Sequence, residues 1–255
     1  MREHWKALTA LGVVIIVVVI VVIIMTRPAT PAPETKGAGK LGFPVSDIRI
    51  GEGGSRKAGD GKTPIGYDGS CNSAIQAAAN YAPLLRDFSF KTWAVQKKTL
   101  TEVSKPGEWF KNTTFPNDFL KNSKELPPGT STVGFLRRTD VAAGGMYRVG
   151  FCKEKEKAVV QVFAGSVGAR VNAGLSAGFE TLSLELSWDG DWKITDSLPG
   201  STATEDFGGK VKDIGPYGGA RESDGASPTL TASMVDDVFK NASREGWVEY
   251  ANAKR

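Results

Sequence analysis

The sequence predicts an α+β domain, with two helices packed on a curved antiparallel sheet, carried by an N-terminal transmembrane helix. Three observations predict it. Residues 7–26 form an uncharged, mostly apolar run. Helical apolar patterns follow between residues 74 and 103, and from Thr132 onwards apolar and polar residues alternate as they do in strands. Because helices precede a block of consecutive strands, an α+β arrangement is expected.

The apolar run at residues 7–26 is long enough to cross a bilayer, since a helix of this length spans about 30 Å. It is longer than the core of a signal peptide, and Arg27-Pro28 after it makes a poor cleavage site. We therefore predict an uncleaved anchor. Basic residues in the tail at residues 1–6 favour a cytoplasmic N-terminus, which places the C-terminal domain outside the cytoplasm.

Residues 27–62 are rich in Pro and Gly and are predicted to be a linker, in which a short apolar patch at residues 41–50 can add an edge strand. The stretch Gly59–Thr63 resembles the end of a phosphate-binding loop. However, Arg56 stands where that pattern requires its first glycine, and no apolar strand leads into it. Neither nucleotide binding nor any other cofactor is predicted.

The globular domain is predicted to cover residues 63–198. Asn72 or Ser73 is expected to cap an alanine-rich helix that Pro83 ends or kinks. A second helix is expected over residues 88–103, with Trp93 packed on the sheet. Short helical pieces and loops are expected over residues 105–130.

The strands are most regular where Leu182, Leu184 and Leu186 alternate with polar residues. Asp189-Gly190 predicts a type I′ hairpin, with Trp188 and Trp192 as a cross-strand pair. Residues 199–255 are expected to form a Gly/Ser-rich loop as far as residue 228, followed by a C-terminal segment with a helix near residues 233–243.

The charge distribution does not predict nucleic-acid binding. The chain has a formal net charge of +4, but most of this excess lies in residues 1–40, near the predicted anchor. A nucleic-acid-binding domain normally presents a concentrated basic face, and the remaining sequence is almost balanced. The alternating charges of Lys153–Lys157 predict a solvated hairpin tip.

Few catalytic arrangements remain open, because the only histidine is His4, in the short tail. This excludes Ser/His and Cys/His hydrolases and histidine-based metal sites from the globular domain. No catalytic, cofactor-binding or metal-binding residues are predicted. The carboxylate pairs Asp189/Asp191 and Asp236/Asp237 are expected to be solvated. Cys71 and Cys152 form either a disulfide or two unpaired, buried thiols, and the sequence leaves both open.

Two motifs carry a family resemblance. Thr63–Tyr67 followed by Ala74–Ala78, and the Trp-Asp-Gly-Asp-Trp hairpin within Ser187–Lys193, resemble stretches of actinobacterial single-pass membrane proteins associated with conjugative elements. The resemblance implies a nuclear transport factor 2-like cone, which is also used by inner-membrane scaffold subunits of conjugative type IV secretion systems. The sequence departs from the pattern at Ser73, where a small Gly is expected.

Together these features favour a non-enzymatic envelope protein, anchored in the cell membrane through residues 7–26. Its extracytoplasmic domain is expected to mediate protein–protein contacts, including self-association, in a conjugative transfer or secretion assembly. The alternative is a cone that binds a small molecule or lipid. Such a cone can be enzymatic through a buried carboxylate, because burial raises the pKa of a carboxyl group.

Overall fold

The computed structural model describes residues 35–87, 93–105, 136–170, 174–199, 215–222 and 224–255. The chain over these ranges is α+β, with one large sheet and few helices. Within the described ranges, no helix is long and apolar enough to cross a membrane. The predicted anchor at residues 7–26 and most of the predicted helical pieces at residues 105–130 lie outside the described residues.

The elements of the described ranges are as follows. The strands are β1 Thr35–Ala38, β2 Pro44–Ser46, β3 Arg56–Lys57, β4 Pro64–Ile65, β5 Leu136–Asp140, β6 Met146–Lys153, β7 Lys157–Arg170, β8 Gly174–Trp188, β9 Trp192–Pro199, β10 Gly218–Glu222 and β11 Trp247–Glu249. The helices are α1 Cys71–Arg86, α2 Trp93–Val103, α3 Val141–Gly144 and α4 Val235–Val238.

The long strands β7 and β8 form the centre of the main sheet, whose principal path runs β1-β2-β11-β6-β7-β8-β10. One edge of β7 pairs with β6 and then with β5, and the far edge of β8 pairs with β9 and then with β10. These pairings are antiparallel, whereas β11 pairs parallel to β2 through Glu249 and Val45. The C-terminal strand therefore joins the N-terminal strands to the rest of the sheet.

Helix α1 begins earlier than predicted and continues past Pro83. Its N-cap is Ser70, whose hydroxyl accepts a hydrogen bond from the Ser73 N–H (3.1 Å), so the predictions of Asn72 and Ser73 as caps are wrong. Pro83 lies in the last turn, and the helix ends at Arg86. A proline removes one hydrogen bond of the helix. Because Pro83 lies in the last turn, the helix continues to Arg86 despite this loss.

One core lies between α1 and the sheet. The alternating leucines of β8, namely Leu182, Leu184 and Leu186, are all buried in it, as the period-2 pattern predicts. Leu100 of α2 belongs to the same core. Helix α2 is described from Trp93 onwards, and the side chain of Trp93 is outside the described part of the chain.

A second core contains aromatic side chains from distant parts of the sequence. Its members are Leu41, Phe43, Met146, Phe163, Phe179, Leu230, Val235, Val238, Phe239 and Trp247. The strand expected within residues 41–50 is present as β2. Residues 35–62 also contribute core residues and further strands, so the prediction that they are otherwise a linker is wrong. Some of the glycines that suggested flexibility instead form turns: Gly42 has φ of 84°, which glycine adopts at little steric cost. The predicted boundaries at residues 63 and 198 are likewise too narrow.

The hairpin between β8 and β9 is confirmed, with Trp188 opposite Trp192 and their ring centroids 5.4 Å apart. The turn is not type I′, because only Gly190 has a positive φ (69°), whereas that type requires two such residues. The exposed hairpin tip at residues 153–156 is also confirmed.

The C-terminal part is more ordered than predicted. The expected loop at residues 199–228 contains β10, which pairs with β8 beyond the end of β9. The helix expected near residues 233–243 is one short turn, α4, preceded by a 3-10 turn at Ala232–Met234. Glycine-rich β10 has little strand propensity of its own, so this strand depends on its partner.

Candidate functional site

The two cysteines are joined by a disulfide that links the start of α1 to β6. Cys71 is the first residue of α1, Cys152 lies in β6, and their Cα atoms are 5.9 Å apart. Both side chains are buried in the core between α1 and the sheet. The disulfide closes a long loop, and so it restricts the conformations of the unfolded chain between α1 and β6.

Asp191 is buried, with 3% of its surface exposed, so the expectation that it is solvated is wrong. Its carboxylate accepts hydrogen bonds from the backbone N–H groups of Gly66 (2.7 Å), Tyr67 (3.0 Å) and Trp192 (2.9 Å). Asp189, on the same hairpin, is exposed. Asp191 therefore holds together the two motifs that carry the family resemblance, and its role is structural.

Ser73 also has a structural role beside these motifs. Its hydroxyl accepts a hydrogen bond from the indole Nε1–H of Trp192 (3.0 Å) and donates one to the Ser70 carbonyl (2.9 Å). The hydroxyl of Tyr81 donates to the Trp192 carbonyl (3.2 Å). A glycine at position 73 would leave the buried indole N–H without this acceptor.

An open groove of about 650 Å³ lies along α1. Its lining includes Ala79, Asn80 and Pro83 of α1, residues 62–64, which lead into β4, and residues 138–142, at the end of β5 and the start of α3. This volume is within the range of binding clefts in proteins. No pattern in the sequence identified the groove, because its lining residues are widely separated along the chain.

The side chain of Asn80 fixes one side of the groove. Its Oδ1 accepts the N–H of Gly51 (2.8 Å), and its Nδ2 donates to the Glu52 carbonyl (3.0 Å) and the Tyr67 hydroxyl (2.8 Å). Asn252 makes two further bonds to the backbone of Ile50, each of 2.9 Å. These bonds attach residues 50–52 to α1 and to the C-terminus.

Asp60 fixes the neighbouring turn. Its carboxylate accepts the N–H groups of Lys62 (2.8 Å) and Thr63 (2.9 Å) and the Thr63 hydroxyl (2.6 Å). Burial acts to raise the pKa of Asp60, but these hydrogen bonds and the nearby charge of Lys62 together lower it. The groove is thus built on regular elements and on loops held by hydrogen bonds, which is typical of a preformed binding surface.

The charged residues of the lining are mostly basic. They are Lys62, Arg138 and Lys254 against the single carboxylate Asp140, which forms an ion pair with Lys254. Lys62 and Arg138 are exposed, and within the described ranges neither forms an ion pair. The lining therefore carries an excess of positive charge, while the carboxylates of Asp60 and Asp87 lie near Lys62 and Arg138 respectively.

A cluster of charged side chains lies at the end of α1. Glu180 forms ion pairs with Arg86 (2.5 Å) and with Arg137. Asp87 follows the helix directly, and burial raises its pKa to about 6. Its hydrogen bond from the Thr139 N–H (2.6 Å) and the nearby Arg137 and Arg138 act in the opposite direction. Asp87 was not identified from the sequence, because a carboxylate after a helix end has no distinguishing pattern.

A second cavity of about 320 Å³ shares Ala226 and Ser227 with the groove. Phe179 and Val238 provide its apolar lining, and Glu222 and Asp224 provide carboxylates. Within the described ranges, no group of three or more His, Cys, Asp or Glu side chains could hold a metal ion. Asp236, at the surface of α4, is exposed and pairs with Arg244.

The chain matches no protein-family model, no curated protein and no solved structure.

Proposed function

We propose that this protein is a non-enzymatic, membrane-anchored envelope protein whose extracytoplasmic domain binds other proteins through the groove along α1. Residues 7–26 form its membrane anchor. The groove carries the proposal: it is open, its sides are held by the Asn80 and Asp60 hydrogen bonds, and it presents exposed positive charge. An open, polar surface of this kind suits a protein segment better than a small apolar ligand, which requires an enclosed pocket.

Two further features support an extracytoplasmic location and a role in a transfer or secretion assembly. The disulfide between Cys71 and Cys152 supports a location outside the cytoplasm, because disulfides persist mainly in oxidising compartments. The resemblance of the Thr63–Tyr67 and Ser187–Lys193 motifs to conjugation-associated membrane proteins supports a transfer or secretion assembly. The contact between these motifs through Asp191 is consistent with their belonging to one structural unit.

We also propose that the fold is a nuclear transport factor 2-like cone. The pairing of β7 with β6 and then β5, together with that of β8 with β9 and then β10, supports it. Such pairing lets two long strands continue past the ends of shorter neighbours while α1 covers one face.

Site-specific photo-cross-linking in intact cells tests the function. Benzoylphenylalanine replaces Ala142, which lines the groove, and in a matched variant it replaces Glu154 at the exposed hairpin tip. We expect discrete protein adducts from position 142 and none of the same size from position 154. Absence of protein adducts at position 142, or identical adducts from both positions, would overturn the proposal.

A second candidate function would use Asp87, whose carboxylate accepts the N–H of Thr139 in the lining of the groove (2.6 Å). A carboxyl group whose pKa is raised to about 6 can exchange a proton near neutral pH, as a small-molecule-binding cone with acid–base chemistry requires. A screen of small carboxylic acids, sugars and lipids against the full chain, observed through the Asp87 side-chain carboxyl signal in NMR spectra, tests this function. Binding that shifts this signal and is lost in Asp87→Asn supports it, and a screen without such a shift contradicts it.

A further inference from the structure

Positive charge is concentrated in the groove although the domain is almost neutral. Three basic side chains and one carboxylate line the groove, and the carboxylate is already paired with Lys254. Asp60 and Asp87 interact with Lys62 and Arg138 but are not part of the lining, so a bound molecule would contact the two basic side chains. Because the rest of the domain is almost neutral, this local positive charge favours an acidic partner through electrostatic complementarity.

The shape of the groove narrows the class of partner further. Asn80 and Pro83 of α1 are half-buried in the lining, and Ala142 adds a small side chain. The groove is open, so an extended chain with small side chains can lie in it. A molecule that fits this shape and carries carboxylates is an acidic peptide.

We propose that the groove binds an acidic peptide segment of a partner protein, with its carboxylates at Lys62 and Arg138. This inference rests on the proposed function and specifies the chemistry of the partner. A flat anionic bilayer is a poorer fit, because the basic residues line a concave groove. A bilayer instead attracts basic clusters that can reach its surface.

The test uses the full chain in a non-ionic detergent and two fluorescein-labelled octapeptides. One alternates Asp, Glu and Ala, and the other has Asn and Gln in place of Asp and Glu. Fluorescence anisotropy at 20 mM and 500 mM salt is expected to show at least tenfold tighter binding of the acidic peptide. This preference is expected to fall at high salt, because salt screens exposed charges.

Charge reversal locates the binding. We expect Lys62→Glu and Arg138→Glu each to weaken binding of the acidic peptide at least fivefold. Lys240→Glu, an equal charge change at an exposed residue outside the groove lining, is expected to change it less than twofold. Circular dichroism verifies the fold of each variant. If Arg138→Glu does not fold, Lys62→Glu alone decides.

Each remaining outcome contradicts the inference. Equal binding of both peptides, or no binding of either, would contradict the acidic selectivity. An equal loss of binding in Lys240→Glu and Lys62→Glu would contradict the location in the groove. Binding of phosphatidylglycerol vesicles, but not of the peptide, through Lys62 makes a membrane surface the ligand instead. If the peptide fails while cross-links from position 142 persist, the acidic specificity is wrong and the protein-binding function stands.

Discussion

The two faces of the sheet are covered by different kinds of chain segment. On one face, α1 and α2 pack on alternating apolar residues of neighbouring strands. On the other, Phe163 and Phe179 are covered by Phe43 from the N-terminal part and by Trp247 and Phe239 from the C-terminal part. That second face also buries a polar row, in which Arg148 donates to Gln161 (2.6 Å) and Gln161 to Ser183 (3.2 Å).

The difference shows that the chain ends are part of the domain. The helix-covered face is formed mostly by elements between α1 and β9, with Ile48 and Ala58 added from the N-terminal part and Val248 and Tyr250 from the C-terminal part. The second face requires residues 41–43 and 230–247 to meet across the sheet, and β11 pairs with both β2 and β6 to bring them there. Stability should therefore respond to changes on both faces, and the following predictions separate the two contributions.

Removing the disulfide should have the largest effect, and it acts on the helix-covered face. Cys71→Ala combined with Cys152→Ala opens a loop with a sequence separation of 81 residues. The chain-entropy model gives a loss of about 4.5 kcal/mol in the free energy of unfolding. Urea unfolding measures it, and reduced wild-type protein serves as the control with intact side chains. A loss below about 1 kcal/mol in both would contradict the prediction.

Trp247→Ala tests the second face. The side chain is 1% exposed and contacts Phe163 and Phe239 with ring centroids at 6.2 and 6.0 Å. Removing a buried Trp typically costs about 3–5 kcal/mol, so we expect about 4 kcal/mol in urea unfolding. Leu184→Ala, fully buried on the helix-covered face, is the matched variant and should cost about 3 kcal/mol. If Trp247→Ala costs under 1 kcal/mol, the C-terminal segment is an appendage.

Asp191→Ala should have the next largest effect. It leaves the N–H groups of Gly66, Tyr67 and Trp192 without their acceptor. Because hydrogen bonds to a charged group contribute about 1.5–3 kcal/mol, we expect a loss of about 3 kcal/mol. Asp189→Ala is the control on the same hairpin, and its exposed side chain should change stability by less than about 0.5 kcal/mol. Equal losses in the two variants would show that Asp191 is not the anchor.

The same contrast explains which features could be predicted from the sequence. Leu182, Leu184 and Leu186 follow a local period of two, and Trp188 and Trp192 flank a short turn, so their placement depends on neighbouring residues only. By contrast, β11 depends on pairing with β6 and β2, which are both distant in sequence. The Leu41 N–H binds the carboxylate of Glu249 (3.2 Å), 208 residues away. No local period encodes such pairings.

The candidate site was hidden for the same reason. Lys62, Ala79 and Arg138 are far apart in sequence, and Gly-rich composition near Lys62 indicated a linker. The stretch Gly59–Thr63 is instead a turn organised by Asp60, whose side chain binds the backbone just after it. The short Asp-Gly-Lys-Thr sequence is compatible with an ordered turn and with a flexible linker. The pairing of β3 with β4, on either side of this sequence, identifies the ordered turn.

The smallest expected effect is a pH dependence that arises beside the groove, on the helix-covered side. Burial raises the pKa of Asp87 from an unfolded value near 3.8 to about 6. Between these values the folded state binds more protons than the unfolded state, so the free energy of unfolding falls as pH rises from about 4 to about 6. Above that window the contribution is constant at its lower value.

Asp87→Asn removes this titration while keeping an oxygen that can accept the Thr139 N–H. The stability of wild type minus that of Asp87→Asn should therefore decrease by about 1–3 kcal/mol between pH 4 and pH 7, because each pKa unit corresponds to about 1.4 kcal/mol. Urea unfolding of both proteins across this range measures the difference, in which the titrations common to both cancel. A difference that stays constant, or that increases with pH, would mean that the Asp87 carboxylate is stabilised by Arg137 and Arg138 more than burial destabilises it.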